Sequence, residues 1–226
     1  MMYLKDDKSN VEIMNFIVNE FGTNCYVYKD DMSNNAIIID PGGNVEQILN
    51  LVQQRELKIE SIVITHGHYD HIKGLGELVK LLPNIEVVVY EDELSLILDD
   101  EENLSVLLSD NLAKHLQSIS INWLKVKDGD ELFCGTKKIK VIHTPGHTLG
   151  SMCLYIEEKN FLFTGDTLFC GSVGRTDFPT GSIDMLDESI QKIFSLPLKT
   201  KFFPGHGTHC ILEKEINHNV FVKITK

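Results

Sequence analysis

No apolar run in this chain approaches bilayer length, whereas a membrane-spanning helix needs about 20 such residues in succession. The opening run, Met1 to Lys8, is charged and lacks the apolar centre of an export signal. Cysteine is sparse and odd in number, and Cys25, Cys134, Cys153, Cys170 and Cys210 show no short paired spacing. A disulfide framework is therefore not expected, and a reducing, cytoplasmic setting is. Cys25, Cys153 and Cys170 stand among apolar neighbours, where a thiol packs as a small hydrophobe. Positive charge is also short: 21 Lys and Arg face 33 Asp and Glu, a net charge of −12. That balance disfavours nucleic acid and acidic membranes as partners. No Pro/Gly/Ser linker, fixed-period repeat or low-complexity segment divides the chain, so its 226 residues, 42% of them hydrophobic, read as one domain spanning 1–226.

The informative run is Thr65-His66-Gly67-His68-Tyr69-Asp70-His71, directly after the apolar Ser61-Ile62-Val63-Ile64. In an extended loop leaving a strand, residues two apart project to one side, so His66 and His68 can chelate one ion. Asp70 and His71 open the apolar-periodic segment Ile72, Leu75, Leu78, Val79, Leu82 and would face the same pocket from a helix N-terminus. Two ligand pairs point to two ions. A hydrolytic metal needs about three protein ligands and an open position, and three later residues sit at comparable strand ends. They are His147 in Thr144-Pro145-Gly146-His147-Thr148, Asp166 after Phe161 to Gly165, and His206 in Pro204-Gly205-His206-Gly207. The cluster contains no Cys, unlike closed structural zinc sites. Imidazole and carboxylate donors suit zinc, placed first here, and iron.

Strand signals fall at residues 11–18, 25–29, 36–40, 61–65, 85–90, 121–126, 131–134, 137–143, 152–157, 161–165 and 201–204. Val45, Ile48, Leu49 and Val52 recur at helical spacing behind Asn44 as candidate cap, and Leu186, Ile190, Ile193 and Phe194 do so before Pro197. Residues 91–110 carry Glu91, Asp92, Glu93, Asp99, Asp100, Glu101, Glu102 and Asp110 with no Lys or Arg. A solvated face is the plain reading, and a lid over the site formed by residues 91–118 is the sharper one.

Taken in order, these motifs, with Asn24-Cys25-Tyr26, Ile39-Asp40-Pro41-Gly42-Gly43, Gly165-Asp166-Thr167-Leu168-Phe169 and Gly174-Arg175-Thr176-Asp177-Phe178-Pro179, make a sequence that resembles the metallo-β-lactamase-fold superfamily, in particular its glyoxalase II-like subgroup. The resemblance covers nearly the whole chain. It implies an α/β fold, the four-layer αββα sandwich, with His66, His68 and His147 on a first metal, Asp70, His71 and His206 on a second, and Asp166 bridging them. Asp70 and Asp166 are then the catalytic carboxylates, and hydrogen bonds from Asp40, His143, Thr148 and Ser151 are expected to hold the ligand loops.

The resemblance implies a dinuclear hydrolase of acyl thioesters, in the manner of hydroxyacylglutathione hydrolases, attacking with a hydroxide held between two divalent ions. Its partner is a small-molecule substrate, and the oligomeric state is left open. The chain departs from that subgroup in two places. Only twenty residues follow His206, so the helical extension that contacts glutathione is not found in this sequence. Arg175 can clamp a substrate carboxylate, or it can pair with Asp177 and fix its own loop. The segment Gly174 to Phe178 also resembles persulfide dioxygenases, which use a single iron. A zinc β-lactamase ranks lower, because the second ligand set has His71 and no Cys, and a non-catalytic metal-binding protein ranks lower still.

Overall fold

The computed structural model describes residues 2–5, 12–219 and 221–222; Asp6 to Lys8 of the charged opening run, and Val11 at the start of the first expected strand, lie outside them. Seven strands build one sheet in sequence order: β1 (Met2–Lys5), β2 (Glu12–Ile17), β3 (Asn24–Lys29), β4 (Asn35–Ile39), β5 (Lys58–Val63), β6 (Glu86–Tyr90) and β7 (Asn122–Val126). β1 to β4 pair antiparallel and β4 to β7 parallel. The remaining strands are β8 (Glu131–Cys134), β9 (Lys137–His143), β10 (Met152–Ile156), β11 (Phe161–Gly165), β12 (Leu168–Phe169), β13 (Ser172–Val173), β14 (Lys201–Pro204) and β15 (Cys210–Ile211). Six of them form the second sheet in the order β15-β14-β11-β10-β9-β8, and β12 and β13 make a separate hairpin.

Parallel pairing requires crossovers, and helices supply them. They are α1 (Val45–Gln54), α2 (Tyr69–Ile72), α3 (Leu75–Leu81), α4 (Leu94–Ile97) and α5 (Leu112–Gln117) in the first half and α6 (Ile183–Phe194) in the second, while α7 (Leu212–His218) follows β15. Alternation along each strand sends neighbouring residues to opposite faces. Ile39, Val63 and Val88 meet Val141, Leu154, Phe163 and Phe203 of the facing sheet. Their neighbours Ile38, Ile62 and Val87 pack outward on Ile48 and Leu51 of α1 and on Leu75 and Leu78 of α3. Ile142, Cys153, Leu162 and Phe202 likewise cover themselves with Leu186, Ile190 and Ile193 of α6. Central strands are buried on both faces, which is why they read as continuous apolar runs. Each large side chain so buried stabilises the fold by about 1.5–3 kcal/mol. The result is the expected four-layer αββα sandwich.

Local structure departs from the pattern at three points. Asn44 precedes α1 with φ 48° and does not cap it; its amide instead donates to the Ile17 carbonyl at 3.0 Å. The helix expected from Asp70 to Leu82 is broken in two, because Gly74 donates its N–H to Pro41 O at 2.9 Å, and a side chain there would strike that carbonyl. Cys170 is exposed rather than packed: it lies in the tight turn between β12 and β13, strands too short to produce a periodic signal. Among the described residues no helix is long and apolar enough to cross a membrane.

Candidate metal centre

Loops from both sheets meet along one edge of the sandwich. The 65–71 loop leaves β5 beside the end of β4, while Asp166 and His206 follow the adjacent parallel strands β11 and β14. Backbone bonds join the two halves: Met152 N to Thr65 O at 2.9 Å and Asn24 N to Gly205 O at 2.7 Å. Gly205 is required by close approach, since a Cβ there would collide with the Asp166 carboxylate and the His71 ring.

The seven residues singled out as ligands converge. One donor atom from each of His66, His68 and His147 lies within 4.8 Å of the others, and the same holds for Asp70, His71 and His206. His68 Nδ1 is 2.9 Å from His147 Nε2, and His71 Nε2 is 3.3 Å from His206 Nε2. Asp166 sits between the trios, 3.6 Å from His147 Nε2, 3.4 Å from His71 Nε2 and 3.4 Å from His206 Nε2. His66, His68, His71 and His147 are buried.

Hydrogen bonds behind the rings fix which nitrogen faces inward. His71 Nδ1 donates to Asp40 Oδ2 at 3.0 Å, and His147 Nδ1 donates to the Arg175 carbonyl at 2.8 Å. Asp40 also accepts from the N–H and hydroxyl of Thr65, at 2.7 and 2.6 Å, and Thr65 Oγ1 stands 3.2 Å from His66 Nδ1. Asp70 accepts from the Thr23 hydroxyl at 2.6 Å. Thr148 and Ser151 bond each other through their hydroxyls at 2.7 Å, and His143 Nε2 bonds the Leu149 carbonyl at 2.9 Å while its ring stacks on Tyr90. These three residues hold the 144–151 loop without a hydrogen bond to a clustered side chain; Asp40 alone of the four supporting candidates bonds one directly.

Electrostatics test whether cations fit. Burial, then the neighbouring imidazoles, hold His66 and His68 well below the ordinary histidine value. Burial works the same way on His147. Burial also opposes charge on His71, yet Asp70, Asp166 and Asp40 lift it to about 10. Asp70 is driven the other way despite its burial, chiefly by His71 and His206. His66 Nε2, His68 Nε2 and Asp166 Oδ1 are buried without a hydrogen-bond partner. Orphaned buried donors and acceptors are costly, and ring nitrogens of His68 and His147, and of His71 and His206, crowd to 2.9 and 3.3 Å. Divalent ions relieve both, so the donor set fits them.

One residue invisible to the sequence reading stands out. Glu93, in the acidic stretch read as a solvated face, is 1% exposed. Its carboxylate accepts from Gly67 N and Gly150 N, both at 2.7 Å, and so ties the loop of His66 and His68 to the loop of His147. Burial raises it to about 7 against those bonds. Charge composition alone could not separate Glu93 from its solvated neighbours.

The centre opens into a pocket of about 540 Å³ walled by Phe21, Leu104, Leu107, Leu108, Phe169, Val173 and Phe178, with Asp70, Asp166 and His206 at its base. The 91–118 segment therefore supplies a wall through its leucines. Arg175 lines the same pocket, but its fork is occupied: Nε and Nη2 bind both oxygens of Asp177 at 2.7 and 2.6 Å, and the guanidinium lies 3.7 Å over the Phe178 ring.

Comparison with known proteins agrees with this geometry. Residues 18–206 match the metallo-beta-lactamase superfamily. Hydroxyacylglutathione hydrolase GloC of Haemophilus influenzae is 32% identical over 223 residues, covering 94% of this chain and 98% of that protein. The crystal structure of BLEG-1 B3 metallo-beta-lactamase superposes with a TM-score of 0.79 at 31% identity, over 94% of this chain and all of that one. TTHA1623, solved in a di-iron-bound form, gives 0.76 at 30% identity over 92% and 99% of the two chains. Fold, clustered histidines and aspartates of the dinuclear type, and sequence match together establish that the chain belongs to the metallo-beta-lactamase superfamily, with short metal-dependent hydrolases among its relatives.

Proposed function

We propose that the protein hydrolyses acyl thioesters at a dinuclear centre, with His66, His68 and His147 holding one divalent ion, Asp70, His71 and His206 the other, and Asp166 shared. The observation that carries this reading is the pair of complete donor trios separated by one carboxylate at the base of an open pocket. When bound, two such ions supply hydroxide near neutral pH and polarise the acyl carbonyl. Asp70, held by Thr23 on one oxygen, would orient the attacking water. Among the described residues lining the pocket the carboxylates and imidazoles all belong to the donor set, and a thiolate leaving group needs no further acid, since an ordinary thiol already ionises near pH 8.5. That favours a thioester over an amide, whose amine must be protonated as it leaves.

The apolar walls and the occupied Arg175 support a substrate whose acyl or carrier segment is apolar, and a high Michaelis constant for glutathione esters. Protein reconstituted with zinc or iron should cleave S-lactoylglutathione, and a butyryl thioester more readily, without oxygen. Oxygen uptake on adding glutathione persulfide to the iron form, with no thioester cleaved by the zinc form, would overturn this proposal in favour of the dioxygenase reading.

A further inference from the structure

Outside this centre, a second donor cluster lies where the β12–β13 turn meets the junction of β15 and α7. The sulfurs of Cys170 and Cys210 and a carboxylate oxygen of Glu215 are all within 4.8 Å of one another. Cys170 occupies the turn between β12 and β13, Cys210 begins β15, and Glu215 lies in α7. The carboxylate is 2% exposed and held in place, because Oε2 accepts from Gly171 N at 2.7 Å and from Asn219 Nδ2 at 3.0 Å. A carboxylate retains lone pairs beyond those two bonds. Burial first, then contact with Cys170 and with Glu215, pushes the Cys210 thiol up to about 12. Cys170 is exposed and Cys210 partly so, which leaves a path for a small ion.

We propose that Cys170, Cys210 and Glu215 form a peripheral site for a thiophilic divalent cation of the zinc or cadmium class, distinct from the histidine–aspartate centre. Two thiolates and a carboxylate match the soft-to-borderline donor preference of such ions, and water completes four-coordination. In tetrahedral zinc the sulfurs stand roughly 3.8 Å apart, a spacing compatible with donors that all lie within 4.8 Å of one another. For each ion bound, both thiols release a proton to solvent and no electrons move. A disulfide would use the two cysteines and draw nothing from the carboxylate of Glu215 beside them. Phe169, Ser172 and Val173, on the same hairpin as Cys170, line the main pocket, so an ion here fastens one substrate wall to α7.

The proposal has a selective readout, because none of the seven residues of the main centre is a cysteine. Reduced protein already loaded with zinc is titrated with cadmium, and thiolate-to-metal charge-transfer absorption is followed. One equivalent per chain should develop this band. It should be lost in Cys170→Ser, whose exposed position makes misfolding a minor concern, and in Cys210→Ser, while Glu215→Gln should weaken cadmium binding at least tenfold. A folded wild-type protein with free thiols and no such band, or an undiminished band in Cys170→Ser, overturns the site. So does a Cys170–Cys210 disulfide by mass spectrometry in protein that, once reduced, takes up no cadmium at these thiols.

Discussion

Asp40 stands directly behind His71, its Oδ2 3.0 Å from Nδ1 with both side chains buried. The contact fixes the imidazole so that Nε2 faces Asp70, Asp166 and His206. Asp40 adopts φ 52° to reach it, a conformation that costs a non-glycine residue about 1–3 kcal/mol. Its three hydrogen bonds to Thr65 and His71 offset that strain.

Asp40→Asn should therefore leave the fold intact but weaken metal retention about 10- to 100-fold, the usual effect of removing a carboxylate behind a metal-binding histidine. Competition against a graded series of chelators, with circular dichroism as the control for folding, measures it. Unchanged affinity would show that Asp40 serves only to shape the turn after β4.

His66→Ala and Asp166→Ala should abolish thioester cleavage. In chelator, the metal-free His66→Ala protein should be at least as stable to urea as metal-free wild type, because the substitution removes an imidazole crowded by His71, His147 and His68. A marked loss of stability in the metal-free form would make His66 a packing residue.

Glu93→Gln should destabilise the protein by about 1–3 kcal/mol, because it turns one of the two accepting oxygens into an NH2 donor that faces the N–H of Gly67 or of Gly150. The pH dependence has a definite sign. Glu93 is raised from 4.5 to about 7 in the folded state, so its contribution is fully present below pH 4.5 and is lost as pH rises through 7. Urea unfolding of both proteins in chelator should show wild type losing its advantage over Glu93→Gln across that window, by no more than about 3 kcal/mol. A difference that is flat with pH would contradict the burial argument.

Arg175→Ala should leave metal content unchanged and alter kcat/KM for S-lactoylglutathione by less than about tenfold, since an exposed ion pair contributes only about 0–1 kcal/mol. A larger rise in KM, confined to carriers with carboxylates, would mean that the guanidinium leaves Asp177 to bind substrate.

The continuous apolar runs Ile37 to Ile39 and Ile62 to Ile64, the helical spacing of Val45 and Ile48, and the spacing of His66, His68, Asp70 and His71 are properties of local sequence. Local geometry turns such patterns into strand faces, helix faces and a ligand loop almost directly, so the strands, the helices and four of the clustered residues follow from them, while the four-layer packing and the grouping with His147, Asp166 and His206 rest on the family resemblance. Contacts across the chain carry no such period. Only folding buried Glu93 out of an acidic run, turned Arg175 onto Asp177 and Phe178, exposed Cys170, and brought it to Cys210 and Glu215. The physical reason is that charge, solvation and donor geometry at these residues are set by partners that the fold, and not the neighbouring sequence, delivers.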